Sequence, residues 1–342
     1  MVVVKNQQDQ PVDWWFIYKT PEHSGSEQNQ GFDFFYYDAK STALDLSAVG
    51  LDHPNQALTH TLRGIFQAAP STGYLVYNDE HADAEKNKTE KGHCKGILAF
   101  DKSTDSALFL LHSTPRFPEH QEITLASREA IYGQTFICIT LPDYQTANQI
   151  AHQMLQQQNP QILHESSYLP ASVTEDEALF QLFRGRAIDE SSQPSTLHFK
   201  SRAGKAFQLI AKSRKWGKDF WIDLVSPTLS CDLVVETWRR GAVTPMQDAR
   251  SSDYDEDLLN LSFKTNQQTR YDWHYTKDHS KWAVALNNNI SDAPWVCVAD
   301  LNRMVSQEKR GGASLCFQEP GLWDALKNAE QQLHQPDKTR TD

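Results

Sequence analysis

Short apolar runs separated by polar or Gly- and Pro-bearing turns recur along most of the chain, the pattern of strands joined by loops. Residues 11–19 (Pro-Val-Asp-Trp-Trp-Phe-Ile-Tyr-Lys) predict an aromatic-rich strand, and 33–38, 73–79, 96–100, 107–112 and 132–141 predict five more. Helical spacing appears at 56–67, in a polar, glutamine-rich segment at 143–157, and at 174–184. Residues 196–201 and 206–213 predict a hairpin around Ala203-Gly204, followed by a helix at 218–226 and an apolar strand from Cys231 to Trp238. Residues 243–270 read as a polar insertion with an acidic knot at 253–257, and the tail 334–342 is expected to be disordered.

The second half of this pattern echoes the first. Phe-Gln-Leu-Ile-Ala-Lys212 resembles Trp-Phe-Ile-Tyr-Lys19, and a His-x-Lys tripeptide follows each at comparable distance: His93-Cys94-Lys95, then His279-Ser280-Lys281. In extended backbone the side chains at i and i+2 project from one face. Each tripeptide therefore aims an imidazole and an ammonium at one point while Cys94 or Ser280 turns away. An apolar run follows each copy, with Asp101 or Asn287 six residues after the lysine.

Such a pair suits phosphodiester cleavage without a metal. A neutral imidazole attacks phosphorus to form a phosphohistidine, and the other, protonated, gives its proton to the departing oxygen. The two lysines hold the non-bridging oxygens. One histidine neutral and one charged implies a mildly acidic optimum. The bland alternative is two partly exposed histidines beside hydrogen-bonded lysines.

Composition narrows the class. The 342 residues suggest two domains or one duplicated one, and nine Trp, eleven Tyr and sixteen Phe are ample for a core. No apolar run is long enough to span a membrane. The N-terminus lacks the features of a signal peptide, which leaves a cytosolic protein or a form whose leader has been removed. The net charge of −11 disfavours binding to a polyanion at neutral pH, but protonating all thirteen histidines would bring it to +2. None of the five cysteines has zinc-ligand spacing, and no carboxylate cluster accompanies the histidines, so neither a metal nor another cofactor is expected. Cys297 and Cys316, nineteen apart across a Gly-rich turn, permit a disulfide without requiring one.

Several stretches together resemble the acid deoxyribonuclease (DNase II) family, itself similar in its His-x-Lys sites to the phospholipase D superfamily. They are Pro-Val-Asp-Trp at 11–14, Tyr-Asn-Asp at 77–79, Gly-His-Cys-Lys-Gly at 92–96, His-Ser-Thr-Pro-Arg-Phe-Pro at 112–118 and Tyr-Gly-Gln-Thr-Phe at 132–136. Asp-His-Ser-Lys-Trp at 278–282, Trp-Val-Cys-Val-Ala-Asp-Leu-Asn-Arg at 295–303 and the Arg-Gly-Gly run ending at Cys316 complete the set.

The resemblance implies a mixed α/β, phospholipase D-like fold of two pseudo-symmetric halves, 1–165 and 166–333, each giving one His-x-Lys to a shared site. It implies a metal-independent, acid-active endonuclease that leaves 3′-phosphates on DNA, contacts the backbone with little sequence preference, and works in a secreted, periplasmic or lysosome-like compartment. His93 is read as nucleophile and His279 as general acid/base, with the roles exchangeable, and Lys95 and Lys281 as phosphate ligands. His112 is either an orienting residue or a loop contact; Ser113, Thr114 and Asn302 are expected to support the tripeptides. Arg116 and Lys309-Arg310 are each a phosphate contact or a structural charge. Cys297 and Cys316 match a disulfide of the family. Two departures are Cys94 in place of the family's usual hydroxyl residue and the missing counterparts of its other cysteine pairs; the long polar insertions suggest a distant, bacterial member. A homodimer placing two DNA grooves side by side fits this reading. The alternatives are a phospholipase D-type esterase acting on another diester, and an inactive nucleic-acid-binding relative.

Overall fold

The computed structural model describes residues 1–81, 83–88, 90–185, 190–243, 256–286 and 293–334. The chain is mixed α/β and is built on two sheets. The first contains β1 (Trp14–Lys19), β2 (Phe34–Asp38), β3 (Asp45–Leu46), β4 (Thr72–Asn78), β5 (Lys95–Asp101), β6 (Ser106–His112) and β7 (Gln134–Leu141), in the order β3-β2-β1-β7-β6-β5-β4. The second contains β8 (Ser195–Lys200), β9 (Ala206–Lys212), β10 (Leu233–Glu236), β11 (Glu256–Lys264), β12 (Arg270–His274), β13 (Trp282–Ala285), β14 (Trp295–Ala299), β15 (Gly312–Gln318) and β16 (Glu330–His334). Its order is β12-β11-β10-β13-β14-β15-β9-β8, with β16 added to β11. Neighbours pair antiparallel except β10 and β11.

Alternation along the strands explains the layering. Leu98, Phe100, Phe109, Ile137 and Ile139 of the first sheet face Val234, Val284, Val296, Leu315 and Phe317 of the second in one central core. The helices α2 (Tyr144–Gln153), capped by Asp143, and α6 (Pro320–Ala329) bury Ile150, Ala151, Leu322 and Leu326 in the same core. The alternate residues of the first sheet, Ile97, Leu108, Leu110 and Cys138, are covered by Leu58 and Leu62 of α1 (Ala57–Phe66). Those of the second, Val235, Ala283, Cys297 and Ala299, are covered by Trp221, Leu224 and Leu229. Trp14, Trp15 and Tyr37 are core residues, as their clustering suggested.

The predicted strands are present with ends shifted by up to three residues. The helix expected at 174–184 is shorter, Ala178–Phe183. The polar stretch 243–270 needs correction: residues 244–255, with most of the acidic knot, lie outside the described residues, but Glu256–Lys264 is a strand that buries Leu258, Leu261 and Phe263. Its interleaved polar residues masked that apolar face.

A cross-strand disulfide joins Cys297 of β14 to Cys316 of β15, which face each other directly with Cα atoms 4.1 Å apart. That short separation belongs to the non-hydrogen-bonded pairs of an antiparallel ladder. Leu110 of β6 and Cys138 of β7 form the corresponding pair: both lie three positions inside a bond from the strand-end N–H to the opposite carbonyl, Ser113 to Thr135 here and Asp300 to Ala313 there. Leu110→Cys is therefore expected to form a second disulfide with Cys138, lowering by two the thiol count expected for the reduced variant in denaturant. Persistence of both thiols after oxidation would contradict the register argument.

Candidate active site

The first tripeptide runs from a bend at His93 into β5, which Lys95 opens, and the second lies just ahead of β13. Each is anchored across the molecule: the His93 N–H donates to the Gly311 carbonyl (2.8 Å) and the His279 N–H to the Gly133 carbonyl (2.9 Å). Only glycine allows this approach. A Cβ on Gly133 would lie 2.8 Å from the Asp278 carboxyl, and one on Gly311 would lie 2.6 Å from the Gln157 and Gln158 carbonyls.

The loops that carry these glycines are pinned by two fully buried ammoniums. Lys19 Nζ donates to the carbonyls of Thr20, Ala130 and Tyr132 at 3.0, 2.9 and 2.6 Å. Lys212 Nζ donates to those of Gln307, Glu308 and Arg310 at 3.2, 2.8 and 2.8 Å. Burial pulls the two down to about 7 and about 8 respectively.

The anchors turn the middle residues inward. Cys94 is buried among the central core residues, where burial pushes its thiol up, so a reactive thiol there is excluded. The Ser280 hydroxyl bonds Tyr18 Oη at 2.9 Å. His93, Lys95, His279 and Lys281 instead line a single cleft of about 160 Å³, joined by Ser113 and Asn302.

Charge in the cleft is unevenly matched. Asp79 pairs with Lys95, receives Arg310 at 3.2 Å, and stands 3.9 Å from His93 Nε2. Burial pushes its carboxyl up, but Lys95, His93 and Arg310 outweigh burial and hold it well below the usual carboxylate range. Burial draws His93 down to about 3 despite Asp79, with Lys95 and Lys281 adding to the effect. His279 is drawn to about 2 by burial, then by Lys281, Lys95, His93 and Arg240. Lys281 falls to about 7 through burial and the charge of Lys95. Burial and the surrounding cations thus keep both imidazoles neutral, an environment that an anion would relieve.

The two imidazoles are held differently. His93 Nδ1 lies 2.6 Å from the Asp300 carbonyl. A carbonyl only accepts, so Nδ1 carries the hydrogen and Nε2 presents its lone pair. His279 lies against aromatic rings: Tyr132 stacks on it at 4.0 Å and 10°, and Trp238 tilts against it at 4.0 Å and 49°. Arg240 covers the Trp238 ring at 4.5 Å.

The remaining expected residues are partly assembled. The Ser113 hydroxyl bonds Gln134 and accepts the Thr135 N–H, bracing the end of β6, and the buried Asn302 side-chain oxygen has no hydrogen-bond partner among the described residues. His112 lies behind Lys95 on the adjacent strand, buried against Phe136 and Phe117 and drawn down to about 3 by burial, then by the charge of Lys95. Thr114 is fully buried and outside the cleft lining. Arg116 is also absent from the lining: its side chain is 44% exposed and lies 4.0 Å from Glu129. Of the Lys309-Arg310 pair, Arg310 is structural, bonding Asp79 and the carbonyls of Lys91 and Gly92. Asp79, Tyr132, Trp238 and Arg240 received no role from the sequence, although Asp79 and Tyr132 fall inside the matching stretches. Among the described residues no group of three His, Cys, Asp or Glu side chains could hold a metal ion.

Residues 4–336 match the family model described as Deoxyribonuclease II. The chain is 39% identical to a Burkholderia pseudomallei protein named "Putative deoxyribonuclease-2", over 98% of this chain and 94% of that one. It is 33% identical to "Deoxyribonuclease-2" of Caenorhabditis elegans (94% and 90% covered) and 29% identical to "Deoxyribonuclease-2-alpha" of Sus scrofa (93% and 86%).

Removing the buried carboxylate that pairs with Lys95 and Arg310 should expose the cationic character of the cleft. Asp79→Asn leaves Lys95 and Arg310 without their anion, a loss of about 3 kcal/mol or more for a broken buried pair. Inorganic phosphate should then raise the melting temperature of Asp79→Asn by more than it raises that of the unsubstituted protein. An equal or smaller rise, read by calorimetry at pH 5, would show that the cleft is not an anion seat.

Proposed function

The chain belongs to the deoxyribonuclease II family, and on that premise we propose that it is a metal-independent acid endodeoxyribonuclease working through a phosphohistidine. The observation that carries the reading is the meeting of His93, Lys95, His279 and Lys281 in one cleft. Lys95 and Lys281 take the non-bridging oxygens of a DNA phosphate. The lone pair of His93 Nε2 attacks phosphorus, the P–O5′ bond breaks, and O5′ takes the proton of His279. Neutral His279 then removes a proton from water, whose oxygen attacks phosphorus and breaks the P–N bond. The products are a 3′-phosphate and the starting protonation states. These contacts address the backbone, which carries little sequence information.

The corresponding strand orders β1-β7-β6-β5-β4 and β9-β15-β14-β13-β10, the two buried lysines and the two anchoring glycines support a phospholipase D-like pair of related halves, 1–165 and 166–333. The edge strands differ in connection, since β2 follows β1 whereas β8 precedes β9. The disulfide supports an oxidising compartment, secreted, periplasmic or lysosome-like. Among the described residues no helix is long and apolar enough to cross a membrane.

Acid dependence follows from two groups. Lys281, drawn to about 7 by burial and Lys95, is a cation below that pH and loses its proton as pH rises through it. His279, drawn far below its ordinary value by burial and the surrounding cations, needs acid and a bound phosphate before it can donate a proton. Plasmid nicking in EDTA should therefore be strong at pH 5 and weak at pH 7.5, and His93→Ala and His279→Ala should each abolish it. Activity that appears only when magnesium is restored would refute the mechanism; no DNA cleavage under any condition would favour another diester or an inactive relative.

A further inference from the structure

The positions flanking the two histidines correspond, but their residues do not. Asp79 is the residue after Asn78, which pairs with Lys95. Trp238 is the residue after Thr237, which stands opposite Lys281 when the Glu236–Trp282 register is extended by one. Arg310 and Tyr132 each precede the glycine whose carbonyl accepts the histidine N–H. His93 is thus flanked by an ion pair, Asp79 with Arg310 at 3.2 Å, and His279 by two aromatic rings. With both centroids 4.0 Å from the imidazole and 5.9 Å from each other, the two rings lie in directions about a right angle apart as seen from the imidazole, their planes meeting at 60°, and cover one face and one flank. Tyr132 is held there through its carbonyl, bonded to Lys19, and through Gly133, whose N–H donates to Lys277.

We propose that Tyr132 and Trp238 are positioning residues that make His279 the proton donor of the pair, orienting its ring and stabilising the imidazolium through their π faces. The inference rests on the nuclease reading and deepens it. The charged groups around His279 are Lys281 on its own segment, Lys95 at the start of β5 with His93 just ahead of it, and Arg240 beyond Trp238, all opposing a positive charge, and Glu80 in the same cleft lining, 4.0 Å from Lys95. The nearby carboxylate of Asp278 is committed to Tyr18 and Trp273, at 2.7 and 2.6 Å. Aromatic faces favour a cation without accepting its proton. A carboxylate in the place of Trp238 would hold the Nε2 hydrogen; the rings leave it free to pass to O5′.

The role separates two substrates. DNA loses an alkoxide that must be protonated as the P–O5′ bond breaks, whereas thymidine 3′-(p-nitrophenyl phosphate) loses p-nitrophenolate, which departs without a proton. His93 attacks both. Tyr132→Leu and Trp238→Leu should lower single-turnover cleavage of DNA at pH 5 by about 3- to 30-fold, move the alkaline limb of its profile to lower pH, and leave the single-turnover release of p-nitrophenolate from the aryl diester, which needs no proton from His279, within about twofold. Tyr132→Phe and Trp238→Phe keep a ring and should restore DNA cleavage. Equal losses on both substrates, or unchanged DNA cleavage in the leucine variants, would overturn the assignment. Failure of the unsubstituted protein to cleave either substrate would instead overturn the nuclease reading on which it rests.

Discussion

Two backbone hydrogen bonds, His93 to Gly311 and His279 to Gly133, hold this site together, because each ties the segment leading into one sheet to a loop leading into the other. Neither bond is stronger than others of its kind, on the order of 1 kcal/mol net. Their importance is geometric. They fix where each tripeptide leaves its loop, and the alternation of side chains then decides which residues reach the cleft. The buried Lys19 and Lys212 serve the same end, since loops that carry inward carbonyls need buried donors to satisfy them.

The cleft gathers Lys95, Lys281, Arg240 and two histidines against two carboxylates, the buried Asp79 paired with Lys95 and the partly exposed Glu80 in the cleft lining, 4.0 Å from Lys95. Two unit charges 4 Å apart interact by about 4 kcal/mol at an effective dielectric constant near 20. Gathering such charges in the absence of substrate is therefore costly, and the protein limits the cost in two ways. Asp79 neutralises Lys95, and burial keeps both imidazoles uncharged and weakens the hold of Lys281 on its proton. In the proposed reaction a phosphate diester would bring the missing negative charge and oppose these shifts, so that substrate binding would itself prepare the histidine assigned as proton donor.

The convergence of the tripeptides on one cleft was legible because it is local: a histidine and a lysine two apart share a face wherever the backbone is extended, and the repeat separated them from chance matches. The echo of Lys19 in Lys212 was legible as sequence, but its meaning was not, because the carbonyls these lysines satisfy come from distant loops. Asp79, Trp238 and Tyr132 were obscure for the same reason. Each reaches its histidine through register and loop packing, which no short-range spacing encodes. Arg116 shows the opposite error. It shares a stretch with His112 and Ser113, yet its side chain leaves the cleft and reaches towards Glu129. The strand at Glu256–Lys264 was hidden by interleaved Asp, Asn, Ser and Lys residues that outnumber its buried apolar ones.

The unlike surroundings of His93 and His279 have a bearing on why both sheets belong to one chain. A catalytic cleft on a two-fold axis between identical subunits must give both histidines the same neighbours, since every substitution appears twice. Such a site can tell its acid from its nucleophile only by which way the substrate happens to lie. Within a single polypeptide that restriction is lifted: an ion pair can grow up around one imidazole and aromatic rings around the other. The enzyme then carries its own direction, and a DNA strand entering the cleft meets a site with a built-in polarity.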